Sequence, residues 1–417
     1  MGPVLLALPL ALGACSKPER PPLASVEEHP DGYWQDVRFP QGTGVLDEDS
    51  RRALERLSQA GYAPGYVPPA PGEGVTVHDP AAAWPGFNLY CSGHAPEAVL
   101  IDMQGKELHR WALPFDQVPS RRTPLLRTQL TWRKVLLLPG GDLLVCYEGL
   151  GLARIDRDSK LKWYWDGAAH HDFELRNGKV YTLAREARYL PYLRISEGVV
   201  EDSLCTLDVE TGAELRRVSI YEALFTSRWS DFLAVHAKGG GDVLHNNSLE
   251  EVGPELAARL KGVKPEDWLL VFRDVNALAI LSESQGTIVW MQEGPWGGPH
   301  SLSPLPGGNL LLFDNQGEGG FTRLVEWDPV TQALGRVYRG TPPAAFVSIF
   351  SGNVHRLPNG NWLAAVSCAG YAREIDPGGQ TVWEFHSPHR TGRQRELVAV
   401  LFDMQRLPAD LDLSWTR

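Results

Sequence analysis

Residues 100–111, LIDMQGKELHRW, decide the fold, because the pattern they carry returns five times. A short strand runs into a polar turn, usually opened by an aspartate, and a second strand leaves it. The echoes are RIDRDSKLKWYW (154–165), TLDVETGAELRRV (206–218), ILSESQGTIVW (280–290), EWDPVTQALGRV (326–337) and EIDPGGQTVWEF (374–385). Upstream of most of them stands another hairpin-forming pair, such as VLLLPGGDLLVCYEG, FELRNGKVYTLAR, LSPLPGGNLLLFDN or VHRLPNGNWLAAVS. Two hairpins give four strands per unit, and the 52 residues between Gly308 and Gly360 suit a propeller blade. Six units predict an all-β, six-bladed β-propeller over residues 75–417. The first unit lacks a strand, which LVAVLFDMQRLPADL near the C-terminus supplies, closing the ring and removing long exposed edges.

Composition agrees with this class. The 417 residues include 42 Gly and 32 Pro but only 4 Met, a balance that favours short strands and turns over long helices. A formal charge of −11 argues against nucleic acid as a partner, so an anionic substrate needs a local basic pocket.

The N-terminus reads as an address. MGPVLLALPLALGAC is an apolar run too short to span a bilayer, closing on Leu12-Gly13-Ala14-Cys15 before the polar SKPERPPLAS. It looks like a bacterial lipoprotein signal: residues 1–14 are removed, and Cys15 is lipidated and anchors the chain to the membrane. The n-region has no Lys or Arg before Lys17, which departs from that pattern. Residues 15–74 then form a Pro-rich tether with one helix in LDEDSRRALERLSQAGY, capped by Asp47 or Asp49 and stopped at Gly61. The protein is expected on the periplasmic or outer side of the cell envelope. There, Cys91, Cys146, Cys205 and Cys368 have three possible disulfide pairings.

The register of the repeat locates a candidate site. In each blade the chain enters at the central channel, so the first residues of the innermost strands face the axis on one side. His300 holds that place six residues before Pro306, and His171 takes it in AHHDFELRNG. His245 opens the first strand of the unit between them, with Asn247 two residues on. Arg273 ends a second strand, and the loops between second and third strands open on the same face. His94 and Asn315 lie in equivalent loops and are expected to form an outer tier of substrate contacts. His355, His386 and His389 fall out of this register, and the tryptophans of the outer strands read as blade core.

Three imidazoles and a guanidinium, without paired carboxylates, make a small cationic cup for an oxyanion, with one imidazole able to act as a nucleophile. Zinc is the lesser reading, because a guanidinium beside a cation is unfavourable. No Gly-x-Ser-x-Gly elbow, Walker loop or dinucleotide fingerprint is present.

The segments DPAAAWPGFNLYCSGHAPEAVLIDMQGKELHRW, HHDFEL, HNNSLEE, FRD, GPHSLSPLPGGNLLLFDN and GNVHRLPNGNWL resemble, in that order, the bacterial arylsulfate sulfotransferases that work without a nucleotide sulfate donor. The resemblance covers roughly residues 75–408. It implies a six-bladed propeller that passes a sulfuryl group from a phenolic sulfate ester to a phenol through a sulfated histidine, with no cofactor. It places the nucleophile on His300, the general acid/base on His171, the His-x-Asn pair on His245 and Asn247, and the arginine on Arg273. Two other classes stay open on the residues alone. One is a lipid-anchored propeller that only binds an anionic ligand or protein; the other is a quinoprotein dehydrogenase, raised by DVETGAELRRV.

Overall fold

The computed structural model describes residues 72–416, apart from 123, 125–126, 189, 194–198, 240, 318–320, 342–343 and 392–396, together with two short strands, Glu28–His29 and Gly32–Asp36. Six antiparallel sheets form a ring. Blades 2 to 5 take their strands in chain order from residues 132–165, 169–219, 246–293 and 300–338. Blade 6 runs from Asn353 to His386 and gains a fifth, outermost strand, Gly74–His78, paired to Thr381–His386. Blade 1 is built as its missing strand requires: Leu401–Leu407 lies innermost against Phe87–Ser92, from Leu401 opposite Ser92 to Leu407 opposite Phe87. Both ends of the propeller chain therefore lock the ring.

The repeated aspartate earns its place through local hydrogen bonding. Asp102 Oδ1 accepts the backbone N–H groups of Gln104 and Lys106, and Asp156, Asp208, Asp328 and Asp376 brace their own outer turns in the same way. These are side chains that imitate a turn of backbone. Outer-strand tryptophans then join the blades. Trp111 Nε1 donates to Gly141 O of blade 2, Trp163 Nε1 to Val209 O of blade 3, and Trp383 Nε1 to Met103 O of blade 1. Trp111 and Trp383 are wholly buried, so each adds a large apolar contact to a satisfied N–H.

Among the described residues three short helices interrupt the pattern: Ile220–Phe225 and Ser230–His236 between blades 3 and 4, and Pro254–Arg259 within blade 4. None of these is visible in the repeat. The helix expected in residues 46–62, and the leader with Cys15, lie outside the described residues. Part of the region read as a tether pairs with the propeller's closing segment, since Gly32–Asp36 lies antiparallel to Leu397–Ala399. Among the described residues no helix is long and apolar enough to cross a membrane. The four described cysteines are buried and free, so none of the three possible disulfide pairings is formed in this structure.

Candidate active site

The three expected histidines meet on the axis. The ring of His171 stands 5.1 Å from that of His245 and 6.5 Å from that of His300. His300 is the first residue of the innermost strand of blade 5, opposite Phe313. His171 sits in the innermost strand of blade 3, where the register shifts between Ala169 and Phe173, and His245 immediately precedes that of blade 4. His171 and His245 have φ values of 55° and 47°, in the left-handed region that a residue with a Cβ seldom enters.

His300 is held from both sides of its ring. Asn315 Nδ2 donates to Ser348 O and Ser351 O, so its Oδ1 must face the imidazole, where it accepts from His300 Nδ1 at 2.7 Å. The lone pair therefore sits on Nε2, which in this structure accepts the Ser351 N–H at 3.1 Å. The approach to His300 is equally fixed: Gly297 N–H donates to Asp314 Oδ1, and Gly298 N–H to Asn276 Oδ1. A Cβ on Gly297 would lie 2.3 Å from Gln316 O, so only glycine fits this close crossing. Asn315 thus positions the histidine instead of lining an outer tier.

Burial, then the charges of Arg273, Arg133 and His245, hold His300 well below the ordinary imidazole range, against the Asn315 bond, which raises it. Burial, then Arg133, His245, His170 and Arg185, act in the same direction on His171. Both rings are neutral at pH 7. Arg273 begins a turn after the second strand of blade 4, and its N–H donates to His245 O. Its guanidinium also pairs with Asp274 at 2.5 Å, as a neighbouring acid invites. Asn247 spends one amide N–H on Pro299 O, bracing the residue before His300, while its buried Oδ1 has no partner among the described residues.

The repeat reading missed three members. Arg133 opens blade 2 at the position of His300, six residues before Pro139 as His300 is six before Pro306, so the same count finds it. It bonds Ser351 Oγ and lies 4.9 Å over the Phe402 ring. Glu148 accepts the His171 N–H on Oε2 at 2.9 Å, and its Oε1 lies 3.3 Å from His171 Nδ1. Burial raises the Glu148 carboxyl, but Arg185, His170, Arg133 and the His171 N–H outweigh it and keep the group ionised. Asp242, three residues before His245, takes its Nδ1 at 2.7 Å.

Two histidines stand elsewhere than expected. His94 stacks on His389 and bonds Ser92 and Glu97, so it belongs to a separate cluster. His355 does face the channel, further along the strands than the cup, where Asp403, Lys134 and Asp172 act on it. Strand pleating returns a side chain to the axis every second residue, so a strand that misses the cup can still supply a deeper layer.

The family model for arylsulfotransferase (ASST) matches residues 134–388, a span that holds His171, His245, Arg273 and His300. The chain belongs to the arylsulfotransferase family. No match was found among curated proteins. Among solved structures, this arylsulfotransferase is similar to a Bacteroides caccae protein of unknown function at 13% identity and TM-score 0.48, covering 77% of this chain and 98% of that one. A Staphylococcus aureus virginiamycin B lyase has 12% identity and TM-score 0.37, covering 61% and 69%. A streptogramin B lyase has 9% identity and TM-score 0.44, covering 80% and 93%.

Proposed function

We propose that this arylsulfotransferase carries a sulfuryl group from a phenolic sulfate ester to a phenol on His300 Nε2. The observation that carries the reading is the His300–Asn315 bond, which fixes the imidazole tautomer with its lone pair on Nε2, in a cup where burial and two guanidinium charges disfavour protonation of the ring. A neutral nucleophile in a cationic cup attacks a sulfate ester without repelling it.

Donor binding sets the sulfate anion among Arg133, Arg273 and His245, and Nε2 exchanges the Ser351 N–H for sulfur. Sulfuryl transfer resembles phosphoryl transfer, with a loose transition state whose charge spreads over three equatorial oxygens. The N–S bond forms as the S–O bond to the aryl group breaks. Nδ1–H stays on Asn315 Oδ1 and carries the positive charge that develops on the ring. The bound anion offsets part of the Arg133 field that, after burial, disfavours charge on His171, and Glu148 stands ready to pair an imidazolium, so His171 takes a proton from solvent as donor binds. That proton goes to the departing phenolate. In the second half His171 takes the acceptor's proton, the phenolate attacks sulfur, and His300 leaves neutral. The cycle uses no cofactor. Lipidation at Cys15, with work on the outer side of the membrane, is part of the same proposal and rests on the N-terminal sequence.

Rapid mixing of enzyme with an aryl sulfate tests this. Without acceptor, a burst of one phenol per active chain and a sulfated peptide containing residue 300 are expected, and His300→Ala loses both. Transfer with neither burst nor adduct would establish direct passage between two bound phenols instead.

A further inference from the structure

The seam where the ring closes gathers three ligand-type side chains that sulfuryl transfer does not use. His94 and Glu97 bracket the turn between the second and third strands of blade 1, and His389 lies in the segment leaving blade 6. The two imidazoles stack with ring centres 3.3 Å apart and planes 10° from parallel. His94 Nε2 is 2.5 Å from Glu97 Oε1, and one ligand atom from each of the three residues lies within 4.8 Å of the other two. We propose that His94, Glu97 and His389 bind a divalent transition-metal ion of the zinc class, which clips blade 1 to blade 6.

The donor set fits such an ion. Two imidazoles and a carboxylate are ligands zinc takes, with a fourth position left to water. Two ligands on one tetrahedral zinc stand roughly 3.3 Å apart, given Zn–N bonds of about 2.0–2.1 Å. The candidate ligand atoms here lie within 4.8 Å of one another, so the two rings have to turn out of their parallel stack for their nitrogens to converge, and Glu97 has to draw back from His94. Outer contacts are in place as well: Ser92 Oγ faces His94 Nδ1 at 2.5 Å, the partner that orients a ligating histidine.

Charge and satisfaction point the same way. Arg110 reaches both Glu97 and Glu107, so one cation faces two carboxylates and one negative charge is left over for a metal dication. His389 Nε2 is buried with no hydrogen-bond partner among the described residues, a cost that a metal bond removes. All three ligands are partly exposed, which leaves the ion a way in. They lie outside the matched span 134–388, and His94 and His389 are 295 residues apart on the two ends of the ring. A clip at this seam resists the opening that a ring closed by hydrogen bonds alone permits.

The test uses untagged protein spanning the propeller and its N-terminal segment, stripped with chelator, given ZnCl2 and desalted. About one zinc per chain should remain, and the melting temperature should rise by at least about 3 °C when free zinc is a hundred-fold above Kd. Glu97→Gln and His389→Ala should lose both effects. Cobalt(II) should give the visible bands of a four-coordinate site in the wild type. Absence of retained zinc, or of those bands, overturns the proposal. So does zinc retained by the His94→Ala/His389→Ala double variant, which places the ion on other groups such as Glu148, His170 and His171. None of these readouts uses sulfate transfer, so the clip and the transfer reading fail separately.

Discussion

Replacing Arg133 with methionine keeps most of the side-chain volume and removes a charge that acts on both His171 and His300. A guanidinium about 4 Å from a sulfate oxygen, at the effective dielectric of about 20 near a protein surface, contributes about 4 kcal/mol. Loss of one preorganised donor to a developing oxyanion costs about 2.7–4 kcal/mol, so both routes converge on a fall of about 10²–10³ in kcat/KM for the donor. The burst should slow by a similar factor yet still reach one phenol per chain, because His300 is intact. A second signature goes with it. Arg133 lowers the affinity of both imidazoles for a proton, so its removal moves the acid limb of the pH–rate profile to higher pH. Stopped-flow release of a chromogenic phenol from pH 5 to pH 8 measures both. A variant with unchanged melting temperature, less than a tenfold loss and an unmoved acid limb would refute a role for Arg133 in the cup.

Asn315→Leu leaves the buried His300 N–H without its 2.7 Å acceptor, a loss of about 1–3 kcal/mol. The expected result is a burst slowed about 10-fold or more with donor KM little changed; an equal loss in KM would mean that Asn315 touches substrate. Stability should fall with acidity: His171 and His300 have folded pKa values below the unfolded value of about 6.5, so the unfolded chain binds more protons in that window and stability is lost as pH drops through it. Melting scans at pH 7.5 and 5.5 should differ less in His300→Gln and His171→Gln than in wild type, and an unchanged difference in both would clear these residues. Burial pushes the thiols of Cys205 and Cys368 up to about 12 and about 11, and those of Cys91 and Cys146 well above the usual value, so none should react with iodoacetamide at pH 8 until the protein unfolds. Cys15→Ala should abolish fatty-acid labelling in a bacterial host, and equal labelling would rule out the anchor.

The ring was legible because its signal is local and repeated. An aspartate bracing its own turn and a strand pair on either side are written within a dozen residues, and ring closure follows from counting strands. The cup was legible only as far as the count was applied. It was applied to histidines, so Arg133 passed unnoticed six residues before Pro139. Glu148 was hidden for a different reason: it reaches His171 from the neighbouring blade, and such a contact depends on how blades are inclined, which no spacing within one strand records. His94 shows the opposite error. Its loop opens on the correct face, but the ring turns toward the seam with blade 6, where His389 and Glu97 take it up.

The backbone explains how the cup holds its geometry. Several positive-φ residues with side chains, such as Ser159, Asn177 and Gln332, lie in hairpin turns where that conformation is ordinary. His171, His245 and Ser351, with φ of 55°, 47° and 58°, instead belong to the cup, Ser351 donating to His300 Nε2 and the His171 ring lying 5.1 Å from His245 and 6.5 Å from His300. A left-handed residue with a Cβ costs about 1–2 kcal/mol, so each must be held by its surroundings. Glu148 holds the N–H of His171, Asp202 takes the N–H of Asn246 just after His245, and Arg273 N–H closes on His245 O. Ser351 is held by Arg133 through its hydroxyl and by His300 through its N–H. These last two holds end on the groups that the donor must engage. In the proposed transfer Arg133 turns to sulfate and Nε2 to sulfur, so Ser351 gives up both contacts while its carbonyl keeps those from Asn315 and Ser348. The two contacts that cover His300 Nε2 and engage Arg133 are thus the ones that the proposed anionic donor would replace.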